Sequence, residues 1–156
     1  VRIGIASDHG GFRLKSELLS LLRERAGVTT TDLGTSSEAS TDYPDHAHAL
    51  ARAILAGTFD RGILVCGTGV GMSIAANRHE GIRCVNCSDT YTAKLSRQHN
   101  DTNILAIGER VLGKGLAWDI VTAWLDEPAD MDARHARRRG KIEPNWKESS
   151  SLDGAQ

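Results

Sequence analysis

Cys66 stands at the end of the apolar run Ile63-Leu64-Val65 and at the head of Gly67-Thr68-Gly69-Val70-Gly71. Alternating glycines let a backbone turn sharply and aim successive N–H groups at one negative charge. The run Met72 to Asn77 reads as a helix whose positive dipole end adds to that field. Helix N-termini favour thiolates, and a thiolate can take a proton from carbon or attack a carbonyl. Two plainer readings stand beside this one. The glycines could serve only a tight turn, and the cysteine could be a buried structural thiol.

Other chemistries fit less well. A dinucleotide fingerprint G-x-G-x-x-G meets Met72 where its third glycine belongs, although Asp89 lies about where a ribose-binding acid is expected. A nucleotide-binding module is therefore the alternative from a different functional class. No Gly-Lys-Ser or Gly-Lys-Thr follows the loop, which disfavours ATP chemistry. Cys84 and Cys87 form a C-x-x-C spacing, but no second pair of thiols completes a zinc site, and on a strand the two point to opposite faces. The histidines His9, His46, His48, His79, His99 and His135 show no His-Glu-x-x-His pattern. No metal and no cofactor are expected. A Cys-His hydrolase built on Cys66 and His99 is a third reading.

Arg134 and Arg138 are four apart and share a helical face, with His135, Arg137 and Arg139 alongside. Such a face can grip a phosphate through bidentate hydrogen bonds, or simply be solvated. Next to an anion cradle, a phosphorylated small substrate accounts for both features.

These groups need a frame. Short β-rich runs at Arg2 to Ala6, Val28 to Leu33, Gly62 to Cys66, Ile82 to Asn86 and Thr102 to Ile107 are each followed by a helix-like stretch. That alternation predicts an α/β, three-layer, Rossmann-like sandwich around a central, mostly parallel five-stranded sheet. Helices are expected from Phe12 to Leu22, Pro44 to Ala56, Lys114 to Leu125 and Asp132 to Lys141. Residues 1–147 read as a single domain, and the polar segment 148–156 as a flexible tail. In such sheets ligands bind beyond the carboxyl ends of the strands. Asp8-His9-Gly10-Gly11, the segment Gly34 to Tyr43, and Cys66 to Gly71 belong there. His99 and Asn100 precede the last strand and should lie at the opposite edge, so only a neighbouring subunit could easily bring them to the site.

With 40% hydrophobic and 25% charged residues and a net charge of −1, the composition disfavours disorder and a strongly basic nucleic-acid binder. No apolar run reaches membrane-span length, so no membrane partner is expected. Three cysteines, an odd number, fit a reducing compartment, and a cytoplasmic location is expected.

The segments Asp8-His9-Gly10-Gly11-Phe12, Asp42-Tyr43-Pro44, Cys66 to Asn77, and Ser96-Arg97-Gln98-His99-Asn100-Asp101-Thr102-Asn103 resemble type B ribose-5-phosphate isomerases and the wider ribose/galactose sugar-phosphate isomerase family. The resemblance runs from residue 1 to about residue 140. It implies an aldose–ketose isomerase acting through a cis-enediolate, with Cys66 as base and Thr68 moving a hydroxyl proton. His99 would assist ring opening. Asp8, His9, Tyr43 and Asn100 would line the sugar site, and Gly67, Gly69, Val70 and Gly71 would form the anion hole. Phosphate would be held by His9, Arg110, Arg134 and Arg138. The family also implies a homodimer, or a tetramer built from it, in which His99, Asn100 and Arg110 come from the partner. One branch replaces the cysteine by a glutamate just beyond the glycine loop; Met72-Ser73-Ile74-Ala75 holds no acid, which points to the thiol branch. Related substrates, namely allose 6-phosphate, galactose 6-phosphate and erythrose or erythrulose 4-phosphate, are compatible with the same loop.

Overall fold

A computed structural model describes residues 1–143 and 145; the tail expected over 148–156 lies outside the described residues. Five parallel strands, β1 (Arg2–Ser7), β2 (Thr29–Asp32), β3 (Arg61–Cys66), β4 (Cys84–Asn86) and β5 (Ile104–Gly108), form one sheet in the order β2-β1-β3-β5-β4. Every neighbouring pair is parallel. Among the described residues six α-helices flank it: α1 (Phe12–Glu24), α2 (Tyr43–Leu55), α3 (Val70–Ala76), α4 (Thr90–Asn100), α5 (Lys114–Asp126) and α6 (Ala133–Gly140).

Burial explains the order. β1, β3 and β5 carry almost uninterrupted buried runs, as strands covered on both faces must, and they occupy the centre. β2 and β4 are short, more exposed, and form the edges. One face of the sheet presents Ile3, Ile5, Ile63, Val65, Leu105 and Ile107 to Leu14, Leu18 and Leu22 of α1 and to Ile120, Val121 and Trp124 of α5. The other presents Ala6, Leu64, Cys66, Ile104 and Ala106 to Leu50 of α2 and Met72 of α3. The result is the three-layer α/β sandwich that the alternation predicts. Cys87 joins the first cluster and Cys84 packs against the second, so the two thiols do face opposite ways.

Several strand ends differ from expectation because local hydrogen bonds take over. The Ile82 N–H turns back to the His79 carbonyl, and the Arg83 N–H is taken by the Asn103 side chain, so β4 starts only at Cys84. Thr102 donates its N–H to the Ser96 carbonyl and ends α4 instead of opening β5. Among the described residues no helix is long and apolar enough to cross a membrane.

Candidate active site

The carboxyl ends of the three central strands meet at Cys66. Cys66 is the last residue of β3 and pairs with Gly108, the last of β5, while the preceding Val65 pairs with Ser7 of β1. The loop beyond Cys66 turns through Gly69, whose φ of 82° is left-handed; a Cβ there would also stand 2.5 Å from Asn86 Oδ1. With that turn the Gly69 N–H donates to Cys66 Sγ at 3.0 Å. Thr68 is exposed at the tip and its Oγ1 accepts the Val70 N–H at 3.4 Å. Val70 and Gly71 open α3, so the amides of the first turn have no acceptor within the helix.

Around this loop the structure gathers most of the residues singled out from the sequence. Asp8 follows β1 and is buried, yet its Oδ1 has no hydrogen-bond partner among the described residues. A buried carboxylate oxygen needs a donor, and sugar hydroxyls can supply one. His9 sits in a 3-10 turn, where its Nδ1 accepts the Thr41 N–H at 3.3 Å; the neutral ring then carries its proton on Nε2. The ring of Tyr43 lies against Gly71, 2.8 Å from where a Cβ would be.

Arg110 also lies beside this loop within a single chain. Its own chain brings it to the loop: the Glu109 N–H donates to the Cys66 carbonyl at 2.9 Å and the Arg110 N–H to the Gly67 carbonyl at 3.0 Å. The Arg110 guanidinium then lies 3.5 Å from the Cβ position of Gly67. No partner is needed to put this cation beside the loop.

A second group assembles elsewhere. His99 and Asn100 end α4, at the amino ends of the strands. From Ile104 to Gly108 β5 advances four residues, roughly 13 Å, so the sheet itself separates them from Cys66. His99 stacks on His135 of α6 with ring centroids 4.5 Å apart and planes 5° from parallel. His135 is the buried residue of α6, and it docks that helix while leaving Arg134 and Arg138 exposed nearby. Arg83 and Arg97 clamp the turn after Asn100: Arg83 donates to the carbonyls of Asn100 and Asp101, and Arg97 to the Asp101 carboxylate and the Thr102 carbonyl. A cavity of about 440 Å³ opens at this end and is lined by Asn100, Arg83 and Arg78 but not by Cys66.

Sequence reasoning missed the groups that hold the site. Lys15 is wholly buried and its ammonium grips both Asp32 oxygens at 2.6 and 2.7 Å and the Thr35 carbonyl at 2.6 Å. It anchors the beginning of the segment that carries Thr41 and Tyr43. A lysine on the stripe of Leu14, Leu18 and Leu22 was the available signal. Arg13 ties the same segment through Glu38 at 2.7 Å. Among the described residues no cluster of three or more histidine, cysteine or acidic side chains is arranged to hold a metal ion.

A sequence model of the family described as Ribose/Galactose Isomerase matches residues 3–142. Ribose-5-phosphate isomerase B of Escherichia coli is 53% identical over 88% of this chain and 91% of its own length. D-erythrulose-4-phosphate isomerase of Pectobacterium atrosepticum is 43% identical over 80% of this chain and 82% of its own. The solved structure of Clostridium thermocellum ribose-5-phosphate isomerase B matches with a TM-score of 0.88 at 51% identity, covering 91% of this chain and 95% of that one. The fold, the loop at Cys66 and these likenesses agree, and the chain is an isomerase that belongs to the ribose/galactose isomerase family.

Proposed function

We propose that this chain interconverts ribose 5-phosphate and ribulose 5-phosphate through a cis-enediolate, with Cys66 as the base and no cofactor. The observation that carries the reading is the Gly69 N–H aimed at Cys66 Sγ at 3.0 Å, in a loop bordered by the unpartnered Asp8 oxygen, His9, Tyr43 and Arg110. Removing the proton from C2 of the open aldose leaves negative charge on the sugar oxygens. Amides already fixed around the loop stabilise that charge where it develops. The same thiol returns the proton to C1, while Thr68 passes a proton between the hydroxyls. The substrate's own carbonyl holds the electrons, so no electron carrier is required.

His99 and Asn100 enter this account from a second copy of the chain. Their half of the machinery lies across the sheet from Cys66 in one chain, together with Arg134 and Arg138 on the helix docked by His135. A homodimer that sets one chain's α4 and α6 against the other's glycine loop completes the site: His99 opens the furanose ring, Asn100 meets the sugar, and His9, Arg110, Arg134 and Arg138 hold the phosphate. Exposed Val70 and Ile74, four apart on α3 beside the loop, offer apolar surface for such a contact.

A second substrate reading has its own support in the likeness to D-erythrulose-4-phosphate isomerase. Initial rates on ribose 5-phosphate, erythrulose 4-phosphate, allose 6-phosphate and galactose 6-phosphate separate the two, because kcat/KM measures differential transition-state binding. Ribose 5-phosphate is expected to give the highest kcat/KM. A higher value for the four-carbon sugar would move the assignment to that substrate.

A further inference from the structure

The start of α1 has a capping deficit that its own sequence leaves open. Its N-cap, Gly11, has no side chain, and none fits: a Cβ there would lie 2.3 Å from the Val65 carbonyl oxygen and 2.8 Å from the Cys66 nitrogen. The turn bearing His9 therefore presses directly on the end of β3, and the first N–H groups of α1 lack a local side-chain acceptor. The Leu14 N–H finds one in Glu109 Oε2 at 2.9 Å, 95 positions along the chain, in the loop after β5. A carboxylate there also meets the positive end of the helix dipole.

Glu109 is at the same time stitched to the loop of Cys66. Its N–H donates to the Cys66 carbonyl, and the following residue, Arg110, bonds to Gly67 and lays its guanidinium against it. Gly10, in the turn before α1, approaches that same Gly67: its Cβ position is 3.3 Å from the Gly67 nitrogen. One half-buried side chain thus spans the two pieces of backbone whose separation sets the distance from Asp8 and His9 to Cys66 and Arg110.

We infer that Glu109 is a positioning residue for the isomerase reaction, fixing the Asp8–His9 turn against the Cys66 loop and Arg110 by capping α1 from the loop after β5. The inference rests on the isomerase reading above. It predicts a dependence on an acceptor at the right reach rather than on charge. Glu109→Gln keeps an oxygen for the Leu14 N–H, Glu109→Asp shortens the reach, and Glu109→Ala removes the acceptor.

The test measures kcat and KM for ribose 5-phosphate in the full chain, at a temperature where each variant is folded, together with hydrogen exchange at the Leu14 amide. Loss of a cap of ordinary strength corresponds to about fivefold. Glu109→Ala is expected to raise KM by about that factor with a smaller fall in kcat and to speed Leu14 exchange, while Glu109→Gln stays within about twofold of the parent in all three. Glu109→Asp should shift in the same direction as alanine and serves if the alanine variant does not fold. Faster exchange in the alanine or aspartate variant with unchanged KM and kcat would reduce Glu109 to a structural cap and overturn the inference. Equal losses in glutamine and alanine would overturn it as well. A parent chain that isomerises no sugar phosphate would remove the isomerase reading and the inference together, whereas an active parent beside kinetically unchanged variants removes the inference alone.

Discussion

Gly69 donates its backbone N–H to the sulfur of Cys66 at 3.0 Å, and it reaches that position only through a left-handed φ of 82°. Both facts fall on one residue, so Gly69→Ala strikes geometry and chemistry together. An L-residue in that region costs about 1–2 kcal/mol, and the new Cβ would be 2.5 Å from Asn86 Oδ1. The expected outcome is a lower Tm and a kcat that falls by at least about tenfold, as for the loss of a preorganised donor, with KM less affected. Thermal unfolding and steady-state kinetics on the same preparation check it.

The three thiols should differ in reactivity. Burial pushes Cys84 far up, and burial together with neighbouring Asp89 pushes Cys87 up to about 12, so both keep their protons at pH 8. The thiolate is the nucleophile in alkylation. Iodoacetamide at pH 8 should therefore label Cys66 first, and activity should fall in step with that label. Peptide mass mapping against residual activity reads this out, and early labelling of Cys84 or Cys87 would speak against it.

The placement of Cys66 and His99 at opposite ends of the sheet, together with the proposed homodimer, predicts complementation. Cys66→Ala and His99→Ala should each be inactive alone. Refolded together in equal amounts, half of the dimers pair one of each, and one of their two sites is intact, which gives about a quarter of parent activity under two-fold symmetry. If His99 served the Cys66 of its own chain, mixing would restore nothing.

Acid sensitivity should trace in part to Asp60. Hydrogen bonds from the Arg2 guanidinium and then from the Arg2 N–H hold its carboxyl down at about 2, against an ordinary 3.8. A depressed carboxyl contributes stability that is complete above its unfolded value and is lost as pH falls through the folded one. Between about pH 4 and pH 2 the parent should lose Tm more steeply than Asp60→Asn, which retains an acceptor for the Arg2 N–H but has no proton to gain. Parallel Tm profiles for the two proteins would contradict this.

Much of the architecture was legible because the sequence patterns are strong. The buried runs of β1, β3 and β5, and the leucine stripe of α1, have single interpretations. The glycine loop was legible for the same reason: three alternating glycines between an apolar strand and a helical run mark a sharp turn at that point. The positioning groups were not legible. Glu109 acts on Leu14 from 95 residues away, and the contacts of Lys15 with Asp32 and Thr35 join α1 to the end of β2, 17 and 20 positions further along the chain. The approach of Arg110 to the Cys66 loop of its own chain depends on hydrogen bonds between the loops after β3 and β5, which no spacing along the sequence reveals. The stacking of His99 on His135 joins two helices separated by β5 and α5 and was invisible for the same reason.

The claim that Cys66 is the proton-transferring base is tested most directly by isomerising ribose 5-phosphate in deuterated water and following deuterium at the transferred position. The parent should incorporate solvent deuterium during turnover. Cys66→Ala should remain folded, with an unchanged circular dichroism spectrum, and lose exchange and turnover by about a thousandfold, within the range for removal of a general base. Exchange at the parental rate in the alanine variant would contradict the account.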